Sequence, residues 1–279
     1  MRYPVELFDP DFREIHGIGL LPRVTAVLTA LSAPGLETWR VNTERETVIE
    51  AVKRAAAETQ TPLSGPAWLR AFWASLQTVR TEAKAQVSAA ALGTRLHAYL
   101  EHQSKLLMGL DPGPAPVRLP AIQPAVEAWD AWAAKVGYKP FLVEYVVHCV
   151  EPGCGYSGSI DAVAEVDGLV TICDWKRAKN CYPEYRLQTG GAYWHALTVT
   201  EGLVPDRAIV LVLPRDIPGP AIEHEILPTE AAELFAAFKA VLHLWTWRRQ
   251  ADEQTSAAIT ARRLNLLPLT ATPYAALAI

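Results

Sequence analysis

An Asp-Gly pair at 167–168 lies between two apolar segments, and it constrains the fold more than any other feature of the chain. Asp-Gly between alternating apolar residues is the strongest short-range signal for a two-residue hairpin turn, because both turn residues need a positive φ. The turn predicts antiparallel strands at about 156–166 and 169–176, in which Val166 pairs with Leu169. A three-residue loop is the alternative, and it would shift the register by one residue and turn every side chain to the other face.

The two-residue turn has a chemical consequence, because continuing its register places Asp161 opposite Asp174. Their Cβ atoms would lie about 5 Å apart, where like charges destabilise a sheet unless a cation separates them. Lys176 follows Asp174 by two residues and therefore points to the same face. The alternative is that both carboxylates are solvated on the wet face of the hairpin. The opposite face, which holds every second residue from Ile160 to Val166 and from Leu169 to Trp175, would then pack on the core.

The composition is that of a globular protein. The 279 residues are 50% apolar and carry a net charge of −4. This length supports one large domain or a domain with a helical annex, and the acidic balance argues modestly against tight nonspecific binding to DNA. The chain contains no long apolar run, so we expect no transmembrane helix. Its N-terminal residues do not resemble a hydrophobic signal segment, so we do not expect export.

Four cysteines between 149 and 181 are too few for a disulfide scaffold, and they indicate a cytosolic protein with reduced thiols. Cys149 and Cys154 flank a turn at Pro152-Gly153 and are able to approach each other. We interpret them as a structural thiol pair in preference to half of a metal site, because no second Cys/His pair has the spacing of a zinc site.

Helical and strand-like segments alternate along the chain, which predicts an α/β fold around a mixed sheet. We expect three regions: an N-terminal helical region packed on the core over 1–85, a core over 86–250 and a C-terminal tail over 251–279. The predicted elements are mostly helix over 20–107, a proline-rich connector at 108–124, a short helix, a three-stranded meander over 141–176, a helix at 184–200, strands at 208–214 and 221–227, and a helix at 229–250.

Residues 93–101 read GTRLHAYLE and are predicted to form a helix that completes the site. Gly93, His97 and Glu101 lie four apart and therefore share one face. A glycine costs a helix about 1 kcal/mol relative to alanine, so we expect Gly93 where the helix approaches another backbone closely. His97 then becomes a third metal ligand, with its ring oriented by Glu101. The alternative is an ordinary surface histidine with a glutamate one turn away.

Taken in this order, the motifs GxxLHxxLE, GSID, DWK and a glutamine on the next helix resemble the PD-(D/E)XK nuclease superfamily. They look most like its branch of RecB-like and phage-type exonucleases, which includes the mitochondrial genome maintenance exonuclease. LPRVTAVL at 21–28 is similar to the PSVT opening of those proteins, and the resemblance covers roughly residues 20–200. It implies a restriction-endonuclease-like core, with a central mixed β-sheet flanked by helices and an N-terminal helical region.

The resemblance implies a metal site. Asp161 and Asp174 would bind a divalent cation, with His97 and the main-chain carbonyl of Trp175 as further ligands. Oxygen ligands suit Mg²⁺, and the nitrogen of His97 shifts the preference toward Mn²⁺. Some relatives carry an iron–sulfur cluster on cysteines near both ends of the chain. This chain has no cysteine outside 149–181, so we expect no cluster.

The resemblance also implies catalytic roles. Lys176 would position or deprotonate the attacking water, and a neighbouring metal charge is expected to lower its pKa. Glu144 would assist the metal site or the substrate, and Gln188 would contact Lys176 or a substrate phosphate. The family helix usually reads QxxxY, whereas Tyr193 is five residues after Gln188 and is therefore expected to point away from the glutamine face. Tyr185, three residues before Gln188, shares that face and is the candidate to replace it.

The function implied by the resemblance is that of a divalent-metal-dependent DNA exonuclease of phage or bacterial recombination and repair. Its substrate would be single-stranded DNA or DNA ends, in the cytoplasm of a bacterial or phage-infected cell. Two alternatives stay open: a structure-specific or restriction-type endonuclease on the same core, and a non-catalytic DNA-binding subunit. Opposed carboxylates beside a lysine argue against the second alternative. No membrane partner is expected, and a homo-oligomer or a recombination partner protein stays open.

Overall fold

The computed structural model describes most of the chain. The backbone is described over 9–31, 34–59, 65–85 and 89–263, and side chains are described there except at 34–43, 59, 82–85, 89 and 257–263. No helix in those ranges is both long and apolar enough to cross a membrane.

A five-stranded mixed sheet forms the centre of the fold, and a separate two-stranded hairpin precedes it. The strands are β1 (Phe12–Ile15), β2 (Gly19–Pro22), β3 (Lys139–Glu151), β4 (Cys154–Val166), β5 (Leu169–Arg177), β6 (Arg207–Leu213) and β7 (Ile222–Ile226). In the central sheet they lie in chain order from β3 to β7, and all neighbours are antiparallel except β5 and β6, which are parallel. The predicted meander and the two later strands are confirmed.

Helices cover both faces of the sheet. They are α1 (Val24–Leu28), α2 (Pro34–Thr59), α3 (Gly65–Ala85), α4 (Ala89–Leu107), α5 (Gln123–Val136), α6 (Pro183–Arg186), a π-helix (Leu187–Tyr193), α7 (Trp194–Glu201) and α8 (Pro228–Arg263). The helices between β5 and β6 supply the crossover that parallel strands require. The predicted α/β class is confirmed, with a central mixed sheet flanked by helices and further helices toward the N-terminus. The predicted C-terminal tail begins inside α8, and residues 264–279 lie outside the described part.

The β4–β5 turn has the predicted form. Asp167 and Gly168 both have positive φ, 52° and 80°, which is the backbone of a two-residue type I′ turn. Val166 pairs with Leu169, and the register continues without a shift to Ala162 and Cys173. The two-residue register is therefore confirmed, because a longer loop would have moved every pair by one residue.

The ladder between β4 and β5 ends early, and this creates a fork in the sheet. The last pair is Ala162–Cys173, although β4 extends back to Cys154 and β5 extends to Arg177. Beyond that pair β4 stays hydrogen-bonded to β3 and β5 stays hydrogen-bonded to β6. The residues next to the last pair, Asp161 and Asp174, therefore lie where the two strands separate.

Both faces of the sheet are buried, which corrects the expectation of one core face and one wet face. Val163 and Ile172 belong to a core built with α1, α7 and α8, whereas Ala162 and Cys173 belong to a second core built with α4 and α5. Strand alternation predicts that Ile160 lies on the same face as Ala162, but Ile160 packs in the first core. Helices on both sides remove the wet face that a lone hairpin would have had.

An aromatic cluster holds β5 in register with the helices of the second core. The Trp175 ring makes edge-to-face contacts with Trp129, Trp132 and Tyr138, at centroid distances of 6.2, 5.5 and 5.9 Å. Side chains alternate along a strand, so anchoring Trp175 on one face turns its neighbours Asp174 and Lys176 to the other.

The β1–β2 hairpin was not expected, because residues from 20 onward were predicted as helix. Its position depends on contacts with the distant helix α8. The guanidinium group of Arg249 lies 4.8 Å from the centre of the Phe12 ring and 5.5 Å from that of Trp245. Arg249 also forms an ion pair with Asp11 at 3.0 Å. Arg249 and Asp11 are 238 residues apart in the chain, which is beyond the reach of a local pattern.

Candidate active site

The fork brings the two predicted aspartates together in a buried position. Asp161 is 9% exposed and Asp174 is 0% exposed. Asp161 Oδ2 accepts a hydrogen bond of 2.7 Å from the main-chain N–H of Trp175, the residue after Asp174. A side-chain carboxylate thus holds the end of β5 at the point where main-chain pairing stops. The alternative of two solvated carboxylates on a wet face is wrong.

Burial and the neighbouring charges act differently on the two carboxylates. Burial raises the pKa of Asp174 to about 6, because Lys176 only partly offsets the desolvation and Asp161 adds to it. Burial also acts to raise the pKa of Asp161, but the charge and hydrogen bond of His97, with Lys176, lower it below its usual value. Because burial and the charge of Asp161 both raise the pKa of Asp174, added positive charge is stabilising at this site.

Lys176 lies beside Asp174, as the two-residue spacing predicts. Its Nζ is 2.8 Å from Asp174 Oδ2 and 5.2 Å from the centre of the Tyr185 ring. Burial lowers the pKa of Lys176, but Asp174 and Asp161 outweigh that effect and raise the pKa above its ordinary value. The protein's own charges therefore favour the ammonium form, and the lowering expected from a neighbouring metal charge stays a prediction.

One oxygen of the pair lacks a partner. Asp174 Oδ1 is buried, and no hydrogen-bond donor reaches it from the described residues. A buried carboxylate oxygen without a donor costs free energy, and such an atom calls for an explanation such as an ion. Two observations therefore indicate that these residues fit a divalent cation. One is the chemical type of the side chains, and the other is the buried oxygen of Asp174 that has no donor from the described residues.

His97 and Glu144 complete a cluster of possible metal ligands with Asp161. One donor atom from each of the three residues lies within 4.8 Å of the other two. Nδ1 of His97 is 3.2 Å from Asp161 Oδ1, and Asp161 raises the pKa of His97 to about 9. Burial, with Asp161 and Glu101, raises the pKa of Glu144 to about 7. Imidazole nitrogens and carboxylate oxygens are both common ligands of divalent cations.

Glu144 has an unusual backbone. Its φ is +48°, a value that is uncommon for a residue other than glycine and costs free energy. Val143 pairs with Ala162 and Tyr145 pairs with Ile160, but Glu144 itself forms no ladder pair in the described sheet. The irregularity faces Asp161, which explains why Ile160 and Ala162 lie in different cores. Strain of this kind is found mainly where function requires it.

The π-helix brings Gln188 and Tyr193 together, which corrects the expectation that Tyr193 points away. Gln188 donates from Nε2 to Oη of Tyr193 at 2.6 Å, and both side chains are buried. A π-helix accommodates one extra residue relative to an α-helix, so residues five apart share a face. The Tyr193 ring packs on Gly158 of the GSID motif, where a Cβ would lie 2.4 Å from the ring.

The two expectations about the flanks of His97 are wrong. Apart from its chain neighbours and the nearby backbone of α4 itself, no described atom lies within 4 Å of the position that a Cβ on Gly93 would occupy, so no close approach of another backbone explains the glycine. Glu101 Oε1 contacts Lys105 Nζ at 2.5 Å, one turn further along α4. The partner that the structure gives the His97 ring is Asp161.

Arg13 is a residue near the site that the sequence did not reveal. From β1 its guanidinium group donates to the carbonyl of Gly158 at 2.9 Å and to Oγ of Ser159 at 3.1 Å. Glu144 and Tyr193 both act on its pKa, although burial is the largest influence and lowers it. No local signal could have found Arg13, because its contact with GSID spans 145 residues.

The comparisons with known proteins give a likeness of fold. No family model matches the chain, and no curated protein matches it. Among solved structures, the chain is similar to the crystal structure of LHK-Exo in complex with dAMP. The match has a TM-score of 0.35 and 15% sequence identity, and it covers 63% of this chain and 88% of that one. The nucleotide is a ligand of that protein.

Proposed function

We propose that this protein is a divalent-metal-dependent DNA exonuclease of the RecB-like and phage-type branch of the PD-(D/E)XK superfamily. The observation that carries the proposal is the fork, where Asp161, Asp174 and Lys176 meet in a buried position and Asp174 Oδ1 has no donor from the described residues. A protein without catalysis gains nothing from placing Asp161 beside the buried Asp174, because the charge of Asp161 adds to burial in raising the pKa of Asp174.

The metal site of this proposal consists of Asp161 and Asp174, with His97 as a further ligand and the carbonyl of Trp175 as a main-chain ligand. Glu144 joins them, because its carboxylate has an oxygen within 4.8 Å of donor atoms of Asp161 and His97. Mg²⁺ or Mn²⁺ in such a site supplies charge neutralisation for the phosphate and a more acidic water. The cluster contains no thiol, which favours these hard ions over softer ones.

The remaining residues act around the scissile phosphate. Lys176, held by Asp174 at 2.8 Å, orients the attacking water and stabilises the negative charge that develops as the phosphate is attacked. Gln188 is held by Tyr193 and points its amide toward the phosphate or Lys176. Arg13, anchored on Gly158 and Ser159, lies at the edge of this site as a cation for the DNA backbone.

The domain boundaries belong to the same proposal. The nuclease core comprises 86–250, preceded by a helical region over 1–85 and followed by the segment 251–279. The choice of an exonuclease over an endonuclease rests on the order of the motifs, from GTRLHAYLE through GSID to DWK. Bacterial or phage recombination and repair is the setting in which such enzymes consume DNA ends.

The test is a cleavage assay on three substrates: end-labelled linear single-stranded DNA, the same sequence as a linear duplex, and closed circular DNA. Each is incubated with purified protein and Mg²⁺, Mn²⁺ or EDTA, beside Asp174→Ala and a matched surface variant, Asp252→Ala. We expect metal-dependent loss of linear DNA with the wild-type protein and with Asp252→Ala, and none with Asp174→Ala. The same assay on RNA checks the choice of nucleic acid.

The outcomes separate the alternatives. Cleavage of the closed circle would replace the exonuclease by an endonuclease, because a circle offers no end. Absence of cleavage with either metal would contradict an enzyme altogether and favour the non-catalytic subunit. Persistence of cleavage in Asp174→Ala would show that the activity comes from elsewhere and would remove the fork as its site.

A further inference from the structure

A second cluster of metal-ligating side chains lies at the far end of the β3–β4 hairpin. Sγ of Cys149, Sγ of Cys154 and a carboxylate oxygen of Glu151 all lie within 4.8 Å of one another. Gly153, with a φ of +72°, turns the chain so that Glu151 pairs directly with Cys154. The cluster is separate from the fork, because Cys154 precedes Asp161 by seven strand residues, a distance of about 23 Å.

A histidine from another element reaches this cluster. His195 lies at the start of α7, and its Nε2 is 3.2 Å from Glu151 Oε2. Its ring stacks on Phe235 of α8, with centroids 3.7 Å apart and planes at 16°. The ring is thus held on both sides, so Glu151 has a fixed hydrogen-bond partner of the kind that commonly orients metal ligands.

The cluster has two buried thiols and one carboxylate that is exposed to solvent. Cys149 and Cys154 are 0% and 4% exposed and belong to the first core, whereas the Glu151 side chain is 51% exposed. Both thiols are free, and burial raises the pKa of each. The charge of Lys239 acts to lower the pKa of Cys154, but its effect is smaller than those of burial, Cys149 and Glu151. An ion would enter from the Glu151 side and displace the thiol protons.

We propose that Cys149, Cys154 and Glu151 bind Zn²⁺, with His195 orienting the carboxylate. Two thiolates and one carboxylate are a zinc donor set, because sulfur ligands select softer ions than the Mg²⁺ or Mn²⁺ of the fork. The sequence alone favoured a plain thiol pair, since no second Cys/His pair has zinc spacing. The structure supplies a third donor, Glu151 in the same hairpin, and it places His195, 44 residues away along the chain, against the Glu151 carboxylate.

A zinc ion here would hold the end of the β3–β4 hairpin closed, and the Glu151–His195 hydrogen bond would link that end to α7. That helix follows the π-helix directly, so the same connection would steady Gln188 and Tyr193 without touching DNA. The role is structural, and it does not depend on the nuclease proposal.

Cobalt provides the direct test, because Co²⁺ bound to thiolates gives a charge-transfer band in the near ultraviolet that oxygen and nitrogen ligands do not give. The full-length protein is reduced with a phosphine, freed of metal, and titrated with Co²⁺ and then with Zn²⁺. We expect one equivalent of the band, bleached by Zn²⁺, in the wild type and in the control Cys181→Ser. The band should be absent in Cys149→Ser and Cys154→Ser, and His195→Gln should weaken Co²⁺ binding by about 10- to 100-fold.

Several results would overturn the proposal. A wild-type protein without the band has no thiolate metal site, whatever happens in the variants. A band of undiminished intensity in both serine variants would place the thiolates elsewhere, and unchanged affinity in His195→Gln would remove the role of His195. Mass spectrometry of the protein without reductant provides a further check. A Cys149–Cys154 disulfide together with no band after reduction would identify a redox pair instead.

Discussion

Gln188 and Tyr193 share a hydrogen bond of 2.6 Å although they are five residues apart. In an α-helix that separation turns the second side chain away from the first, because residues three and four apart are neighbours. The π-helix removes the mismatch with one extra residue per turn. A spacing that looked like a departure from the family motif is therefore compensated by the backbone, and the tyrosine keeps its place beside the glutamine.

We predict that Tyr193→Phe destabilises the protein by about 1–3 kcal/mol, because it leaves a buried amide donor of Gln188 without its acceptor. Cleavage should fall as well, since Gln188 is then free to rotate. Tyr145→Phe is the matched control, because it removes the same hydroxyl from an exposed contact with Glu201. Urea unfolding and cleavage rates measure both effects. Equal losses in the two variants would contradict a special role for the Gln188–Tyr193 contact.

The glycines of the π-helix should be intolerant of a side chain. A Cβ on Gly191 would lie 2.8 Å from the main-chain oxygen of Leu234, whereas a Cβ on Gly190 would meet the movable ends of Leu234 and Ile226. We expect Gly191→Ala to cost about 3 kcal/mol or more and Gly190→Ala less, in line with the cost of overpacking. Gly93→Ala, which meets no described atom, should stabilise α4 by about 1 kcal/mol. Thermal unfolding ranks the three, and the reverse order would disprove the packing argument.

Lys176→Ala should abolish cleavage and leave metal binding in place. The ammonium group is an ion-pair partner of Asp174, at 2.8 Å, and removing it leaves the carboxylate free to bind a cation. Loss of a charge that stabilises the transition state costs about 100- to 1,000-fold or more in rate. Calorimetric titration with Mn²⁺ and the cleavage assay are compared with Lys179→Ala, an exposed neighbour. Cleavage at the wild-type rate would exclude Lys176 from the mechanism.

Glu144→Gln should stabilise the protein in EDTA at high pH only. Burial raises the pKa of Glu144 from 4.5 to about 7, so the folded protein keeps a proton that the unfolded chain releases. Stability therefore falls as the pH rises from about 4.5 to 7, and the full loss persists above that range. The neutral glutamine avoids this loss, so the Tm of the variant should exceed that of the wild type at about pH 8 and match it at about pH 4.5.

Glu233→Gln, on the exposed face of α8, is the control for the charge change. The Glu144→Gln protein is also expected to lose cleavage activity while gaining stability, because sites built for function are commonly costly to the fold. A Tm difference that is the same at both pH values would show that Glu144 is not desolvated in the folded protein.

Local signals were sufficient for the hairpin and its register. Asp167 and Gly168 require positive φ, and the alternation on either side then decides which residue faces which. The turn and its register place Asp161 and Asp174 directly after the last ladder pair, with Lys176 two residues beyond Asp174. The α/β class also follows from the order of helical and strand-like segments, because each has its own period.

Only the tertiary structure decided how the site is enclosed. The wet face disappears because α7 and α8 cover it, and the ladder ends at Ala162–Cys173 because β4 and β5 follow different neighbours. The left-handed backbone of Glu144 and the approach of Arg13 likewise depend on partners far away in the chain.

The physical reason is the range of the forces involved. Turn geometry and periodicity are properties of a few consecutive residues, so the sequence by itself determined the hairpin and the types of the chemical groups on it. Desolvation and close packing depend on which distant segments meet. They therefore decided that Asp174 is buried with an oxygen lacking a described donor, and that Gly190 and Gly191 let a π-helix pack against α8.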